Sequence, residues 1–290
     1  MRSREIASII ITIAGKITQN ANETKIATMH ELQESIIVKL IVYRKTTKYR
    51  NISSMKTIEH NSRFAVIIPA YNEAERIGNT VVAAQLISGV VGVLVANDGS
   101  SDKTAQLATQ AGAIVISNKY NSGKGAALEL AALVLEKLRP FGALDGVLLL
   151  DGDLESCADR AEVLLEPLIN KSADMTIAIL PSPPGKAGFG MVKGLSCDII
   201  AKYGGGFLAK APLSGQRALT MDCLASVRPF AKGFAVEVAM TVSALQHNLT
   251  VVEVPANLSH RHTGRDASGF WHRGKQFMDV YRFARTLGKK

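Results

Sequence analysis

The chain has 290 residues, and the 47% that are apolar can form a sizeable core without giving the run of about 18 apolar residues that a membrane-spanning helix needs. Cys157, Cys197 and Cys223 are widely spaced and form no CxxC pair, which argues against a zinc site or a disulfide framework and favours a reducing cytoplasm. The net charge of +9 favours an anionic partner, which a membrane surface, a nucleic acid or a phosphorylated substrate would supply.

Residues 1–62 differ in composition from the rest of the chain. They carry ten Lys and Arg against five Asp and Glu, and they contain no proline. Within them, residues 31–43 place apolar side chains at helical spacing. We expect an N-terminal extension that is poorly ordered or partly helical, and a helix lying on a membrane surface is the alternative.

From Phe64 onward, short apolar runs alternate with segments of helical periodicity. The predicted strands are 65–68, 92–96, 113–117, 146–150 and 249–254, and the predicted helices are 73–86, 104–110 and 126–138. This alternation is typical of βαβ units, in which helices cover both faces of a parallel sheet. We therefore predict an α/β, Rossmann-like domain over residues 63–290, with a mostly parallel central sheet.

Polar residues directly follow three of these strands: Tyr71, Asn72 and Glu73; Asp98; and Asp151 with Asp153. Ligands of such sheets bind at the carboxyl ends of the strands, so these residues mark a candidate site. Asp151 and Asp153 lie two positions apart, point to the same side of an extended chain, and repel each other unless a cation lies between them. Mg²⁺ or Mn²⁺ bridging to phosphate oxygens is the predicted cation, and a solvated Asp-Gly turn is the alternative.

The segment Asn121-Ser122-Gly123-Lys124-Gly125 opens the helix after the third strand. Its glycines permit close approach of the backbone, and the N–H groups of the helix N-terminus together with Lys124 favour an anion. The spacing is not that of a Walker A loop, and a plain helix-entry turn is the alternative.

The order and spacing of these segments closely resemble the family 2 glycosyltransferases of GT-A fold, over about residues 64–285. The resemblance implies a nucleotide-binding half at 63–155 and an acceptor-binding half at 156–290, with Asp153 as a ligand of the metal on the diphosphate. The family's second motif often has two acids where this chain has Asn97-Asp98, so UDP- and GDP-sugars both stay open as donors. The nucleotide-sugar would be held by Pro69, Tyr71, Asn72, Glu73, Asp98, Gly123, Lys124 and Asp151.

The C-terminal third resembles two branches of that family. Residues 212–218 look like the Ser-Gly-x-Arg-Ala stretch of polyprenyl-phosphate sugar synthases, and residues 229–237 are similar to a segment of glucosyl-3-phosphoglycerate synthases. In the latter the Glu, here Glu237, touches the donor sugar, and a downstream His completes the metal site. This chain offers His260 and His262 for that position, and the spacing does not decide between them.

Three arginines, Arg217, Arg261 and Arg265, are predicted to clamp an acceptor phosphate, with the Pro/Gly-rich loop 181–194 closing over it. The alternative is that they pair with Asp222, Glu253 or Asp266 and only hold the domain together. The predicted catalytic residues are Asp151, Asp153, Glu237 and Arg217. The predicted acceptor-binding residues are Ser214, Gly215, Arg217, Arg261 and Arg265.

The sequence thus predicts a metal-dependent glycosyltransferase that moves a sugar from a UDP- or GDP-sugar to an anionic small molecule or a lipid phosphate. A sugar-phosphate nucleotidyltransferase is one alternative, although the basic Gly-rich signature expected after the first strand is missing. A non-catalytic nucleic-acid-binding module is another, but acids at the strand ends would repel phosphates, so we expect no nucleic-acid partner. We expect a cytoplasmic protein; a peripheral contact with the inner face of the membrane and a homodimer both stay open.

Overall fold

The computed structural model describes residues 62–181, 190–231, 233–258 and 267–288. Most of the predicted N-terminal extension, including the helix at 31–43, lies outside the described residues, as do residues 182–189 of the predicted loop. The same holds for four predicted site residues: His260, Arg261, His262 and Arg265. Within the described ranges, no helix combines the length and the apolar character that crossing a membrane requires.

The described residues form a mixed, seven-stranded sheet in the order β3-β2-β1-β4-β6-β5-β7. Strand β6 pairs antiparallel with β4 and β5, and the other strand pairs are parallel. The predicted α/β class with a mostly parallel sheet is confirmed. The strands are β1 Phe64–Ala70, β2 Val90–Asn97, β3 Ile114–Ser117, β4 Gly146–Leu149, β5 Met175–Ile179, β6 Arg217–Thr220 and β7 Val251–Pro255.

Helices cover both faces of the sheet. They are α1 Ile77–Ala84, α2 Thr104–Gln110, α3 Lys124–Leu138, α4 Glu166–Ile169, α5 Gly190–Tyr203, α6 Met221–Ser226, α7 Val236–Gln246 and α8 Ala267–Leu287, with 3-10 segments at Glu155–Leu164 and Gly233–Ala235.

Strand β1 shows why the strands read as continuous apolar runs. Its alternate residues point to opposite faces of the sheet. Val66 and Ile68 pack in one apolar layer with α1 and the 3-10 segment Glu155–Leu164, whereas Ala65 and Ile67 pack in the other layer with α3 and α7. Because both layers exclude water from these side chains, neither face of the strand carries a polar residue.

The first helix is shorter than the predicted 73–86, because the chain entering it is held by the loop after β2. Asn72 has a left-handed backbone conformation, with φ of 55°. The backbone N–H groups of residues 72–74 donate to side-chain oxygens of Ser100, Thr104 and Asp102. These bonds draw the loops after β1 and β2 together.

The strand directions bring most of the predicted site to one edge of the sheet. Strands β1, β2, β4, β5 and β7 all run the same way, so their carboxyl ends share that edge. Antiparallel β6 begins there, because Arg217 pairs with Leu149 at the end of β4. The loop before β6 and the segment that follows β7 therefore start from the same edge as Asp151.

The side chain of Thr80 holds the turn between Asp151 and Asp153 in place. Its buried hydroxyl donates to the carbonyl of Gly152 at 2.9 Å and accepts from the N–H of Glu155 at 2.8 Å. We predict that Thr80→Val, which keeps the shape but removes the hydroxyl, lowers the free energy of unfolding by about 1–3 kcal/mol, because both groups lose a partner.

Urea unfolding measures this loss. Thr109→Val is the matched control, because the Thr109 hydroxyl makes one exposed bond to the carbonyl of Ala105 in its own helix. Equal urea midpoints for the two variants would show that the Thr80 hydroxyl does not hold the turn.

Candidate active site

Lys124, the first residue of α3, lies between two carboxylates. Its Nζ is 2.8 Å from Asp151 Oδ1 and 2.8 Å from Glu237 Oε1. The other oxygen of Asp151 accepts a 2.6 Å hydrogen bond from Gln216 Nε2. The end of β4, the start of α3, the start of α7 and the loop before β6 thus meet at one ammonium group.

The charge of Lys124 is stabilised by this arrangement. Burial alone would lower the pKa of Lys124, but the carboxylates of Asp151 and Glu237 outweigh it, and the pKa is raised above its ordinary value. The side chain is therefore a permanent cation near neutral pH and does not act as a base. The sequence argument placed a divalent cation between Asp151 and Asp153, and that site stays a prediction; Lys124 lies instead between Asp151 and Glu237.

Gly215 is needed for this contact. A Cβ atom at Gly215 would lie 2.5 Å from Lys124 Nζ and 2.9 and 3.0 Å from the two carboxylate oxygens of Asp151. A side chain at this position would therefore separate the ion pair or displace the loop before β6. Gly215 was predicted from the sequence as an acceptor-binding residue, and that role stays a prediction.

Asp98 organises the loop that leads into α3. It is buried, and its oxygens accept from the N–H groups of Ser122 at 2.9 Å and Gly123 at 2.6 Å and from Asn118 Nδ2 at 2.8 Å. These bonds fix Gly123 and hence the position of Lys124. Contact of Asp98 with a nucleotide stays a prediction, since both of its oxygens are already engaged with the protein here.

The residues predicted to bind the nucleotide at the end of β1 lie at the same edge. The ring of Tyr71 is 47% exposed, and Pro69 is partly buried beneath the loop. Asn72 Oδ1 accepts from the N–H of Ser101 at 2.9 Å, and Glu73 lies 3.9 Å from the guanidinium of Arg76. The exposed ring of Tyr71 is thus available for a planar ligand, while Asn72 and Glu73 also order the loop.

Asp153 is the carboxylate that the sequence predicts as a metal ligand, and that role stays a prediction. It is partly exposed two residues beyond Asp151, and a hard divalent cation prefers such oxygen ligands. No group of three or more His, Cys, Asp or Glu side chains suited to a metal is found among the described residues. The predicted ligands His260 and His262 lie outside the described residues, so the residues that the structure describes supply part of the predicted donor set.

Arg217 does not face a ligand, and its predicted contact with the acceptor is wrong. Its side chain is fully buried; Nε donates to the carbonyl of Ser214 at 2.8 Å and Nη1 to the hydroxyl of Thr241 at 2.9 Å. Burial lowers the pKa of Arg217 to about 10, against the opposing effect of Glu237 and other neighbours, so the guanidinium is still charged near neutral pH. Its role is to fasten the loop before β6 to α7.

Gln216 is the site residue that the sequence argument missed. Neighbouring residues of an extended chain point to opposite faces, so an inward Arg217 leaves Gln216 directed at Asp151. Gln216 could have been found as a polar residue just before a strand that pairs with β4, but the pairing of β6 with β4 was not predicted.

We predict that Gly215→Ala lowers the free energy of unfolding by about 1–3 kcal/mol, because the added methyl group overpacks the contact between Lys124 and Asp151. Gly194→Ala is the control, since a Cβ there meets no atom within 4 Å and a helical Gly-to-Ala change is itself stabilising. Denaturant unfolding separates them, and a Gly215→Ala protein as stable as wild type would contradict the close contact.

Comparison with known proteins assigns a family to this site. Residues 65–196 match the model described as glycosyl transferase family 2. Glycosyltransferase AglJ of Haloferax volcanii is 30% identical over 231 residues, which cover 76% of this chain and 72% of that protein. Polyprenol monophosphomannose synthase of Mycolicibacterium smegmatis is 27% identical over 221 residues, which cover 72% of this chain and 82% of that protein.

Solved structures agree on the fold. Glucosyl-3-phosphoglycerate synthase from Mycobacterium tuberculosis, in complex with Mn²⁺, UDP and phosphoglyceric acid, has a TM-score of 0.61 at 22% identity, covering 82% of this chain and 85% of that one. Its complex with Mg²⁺ and UDP has a TM-score of 0.58 at 22% identity, covering 76% and 77%. The GT-A-like fold is confirmed, and the nucleotidyltransferase and nucleic-acid-binding alternatives give way. The chain belongs to glycosyltransferase family 2 and is a glycosyltransferase.

Proposed function

We propose that the enzyme transfers a sugar from a UDP- or GDP-sugar to a phosphorylated acceptor, with Mg²⁺ or Mn²⁺ held by Asp153. The observation that carries this proposal is the cluster of Lys124, Asp151 and Glu237 at the carboxyl edge of the sheet. Two carboxylates fixed around one ammonium offer several acceptors for hydroxyl groups in a small space. A sugar is the ligand that presents such a set of hydroxyl groups.

The sugar moiety is proposed to bind at this cluster. Asp151 and Glu237 accept hydrogen bonds from its hydroxyl groups, and Lys124 holds both carboxylates in their charged, accepting form. Gln216 fixes the rotamer of Asp151 through its second oxygen. Catalysis by positioning of this kind depends on side chains that are already locked before the donor arrives.

The nucleotide is proposed to bind between the loops after β1 and β2. The exposed ring of Tyr71 offers a stacking surface for a base, and Pro69, Asn72 and Glu73 shape the pocket beside it. Asp98 acts through the loop that ends at Gly123, which it holds by backbone N–H bonds. A solved structure with the same fold contains UDP, which makes UDP-sugars the first donors to test.

The metal is proposed to be held by Asp153 together with His260 or His262. A divalent cation bound there supplies neutralisation of the charge that grows on the leaving diphosphate. Asp151 is proposed to face the sugar rather than the metal, because the ammonium of Lys124 against its Oδ1 would repel a divalent cation.

The acceptor is proposed to be anionic and to bind Arg261 and Arg265, near Ser214 and Gly215, with residues 181–189 closing over it. The predicted loop 181–194 was too long, because residues 190–194 begin α5. Strands β5 and β7, which precede this loop and these arginines in the chain, both end at the same edge of the sheet as β4, which precedes Asp153. One solved neighbour contains phosphoglyceric acid, and one relative is a polyprenol monophosphomannose synthase. A lipid-phosphate acceptor would add a peripheral membrane contact, and a homodimer stays compatible with this arrangement.

The metal proposal predicts that Asp153→Asn reduces sugar transfer by on the order of a hundredfold, because the charge of the leaving diphosphate is no longer compensated. The measurement is release of nucleoside diphosphate from a panel of UDP- and GDP-sugars with Mn²⁺ and with EDTA. Asp159→Asn, which changes an exposed acid nearby, is the control and keeps wild-type rates. Full turnover of the wild-type enzyme in EDTA would contradict the metal proposal.

The acceptor proposal predicts that Arg261→Gln or Arg265→Gln raises the acceptor KM about ten- to a hundredfold, the effect of losing one charge-assisted hydrogen bond of about 1.5–3 kcal/mol. The donor KM stays close to wild type. Phosphoglycerate and a polyprenyl monophosphate are the two test acceptors, and Arg285→Gln on exposed α8 is the control. Transfer to a neutral polyol alone, with no response to either arginine change, would contradict an anionic acceptor.

A further inference from the structure

Glu237 and Lys124 belong to different helices, and their contact depends on how those helices are held. Lys124 begins α3, and Glu237 is the second residue of α7. The chain from Arg228 to Ala235 leads into α7 and packs along α3, with Phe230 buried in the same apolar layer as Leu128 and Val236. The position of Glu237 is therefore set largely by how this segment is attached to α3.

Glu129 makes that attachment. One of its oxygens, Oε1, accepts from Arg228 Nε at 3.1 Å and Nη2 at 2.7 Å, and the other, Oε2, accepts from the backbone N–H of Phe230 at 3.1 Å. Both carboxylate oxygens of Glu129 are thus hydrogen-bonded to the segment before α7. Glu129 lies five residues after Lys124 on the same helix, a rise of about 7.5 Å along its axis.

The opposite side of the segment is held by Asp279 of α8. Its Oδ2 accepts from the N–H of Phe234 at 3.2 Å, three residues before Glu237. Gly233 has φ of 66°, and a Cβ there would collide with the carboxylate of Asp279. The turn that begins α7 is consequently fixed between α3 and α8.

We propose that Glu129 is a positioning residue for the donor sugar, which sets Glu237 against Lys124 through Arg228 and Phe230 without touching the donor. This inference rests on the proposed function, in which Glu237 contacts the sugar moiety. Glu129 is chemically suited to the role, because a carboxylate matches the planar fork of an arginine and still has an oxygen for a backbone N–H. A glutamine keeps the shape, but its NH₂ group opposes one of those donors.

The first test needs no ligand. Amide hydrogen exchange in the peptide spanning 228–238 is expected to quicken about tenfold or more in Glu129→Gln, because the segment loses its attachment to α3. Glu136→Gln is the matched control. Glu136 also binds Arg228, at 2.8 Å, but its side chain is 47% exposed, and it contacts the segment through Arg228. Exposed ion pairs contribute little. Unchanged exchange in Glu129→Gln would overturn the proposal.

The second test separates positioning from general stability. Glu129→Gln is expected to weaken binding of the sugar nucleotide about tenfold relative to the matching nucleoside diphosphate, whose affinity stays at the wild-type value, because only the sugar meets Glu237. UDP with UDP-glucose and GDP with GDP-mannose are the probes. In a Glu237→Gln background the added Glu129→Gln change is expected to have no further effect.

Arg228→Lys is the second variant, because lysine keeps the charge but cannot form the fork. Equal weakening of nucleotide and sugar nucleotide, or additive effects in the double variant, would overturn the proposal even if exchange quickens. If the wild type binds neither sugar nucleotide, the donor assignment fails by itself, and the exchange measurement still decides whether Glu129 holds the segment.

Discussion

Two carboxylates, Asp151 and Glu237, lie together in this enzyme because the ammonium of Lys124 sits between them. Without an opposite charge, two carboxylates so close and partly shielded from water would repel and one would take up a proton. Asp151 follows β4, and Glu237 lies 86 residues later in the chain, at the start of α7. A single cation therefore joins two distant parts of the chain at the point where the proposed chemistry occurs, and the surrounding packing keeps it there.

Much of this site could be predicted from the sequence, because parallel strands impose a simple rule. Their carboxyl ends share one edge, so Asp98 and Asp151, which follow buried apolar runs, had to lie near each other. The helix predicted at 104–110 has those bounds in the structure, since the preceding turn and the glycine after it are local signals. The first helix begins later than predicted, because the bonds that hold residues 72–74 come from a different loop.

The parts that the sequence could not supply depend on long-range pairing. Strands β5 and β6 are short, and the residues around them do not indicate which strands they pair with. The position of β6 between β4 and β5 could therefore not be predicted from the sequence. That position covers both edges of β6, and α7 packs over the face from which the side chain of Arg217 projects, which is why Arg217 is buried. The sequence predicted that Arg217 binds the acceptor, whereas the neighbouring Gln216 is the residue whose side chain contacts Asp151.

The position of Lys124 also explains why the two aspartates of the Asp-Gly-Asp turn are proposed to have different roles, with Asp151 binding the sugar and Asp153 the metal. In the proposed function, the ammonium of Lys124 against Asp151 Oδ1 would repel a divalent cation, so the cation that accompanies a diphosphate is proposed to bind Asp153 instead. Asp151, Glu237 and Asp153, which lies two residues after Asp151, carry three negative charges against the one positive charge of Lys124, and a negative diphosphate entering the site would be repelled unless a cation came with it. Under the proposed function, the carboxylates of the site account for the need for a metal, and the position of Lys124 against Asp151 directs that metal to Asp153.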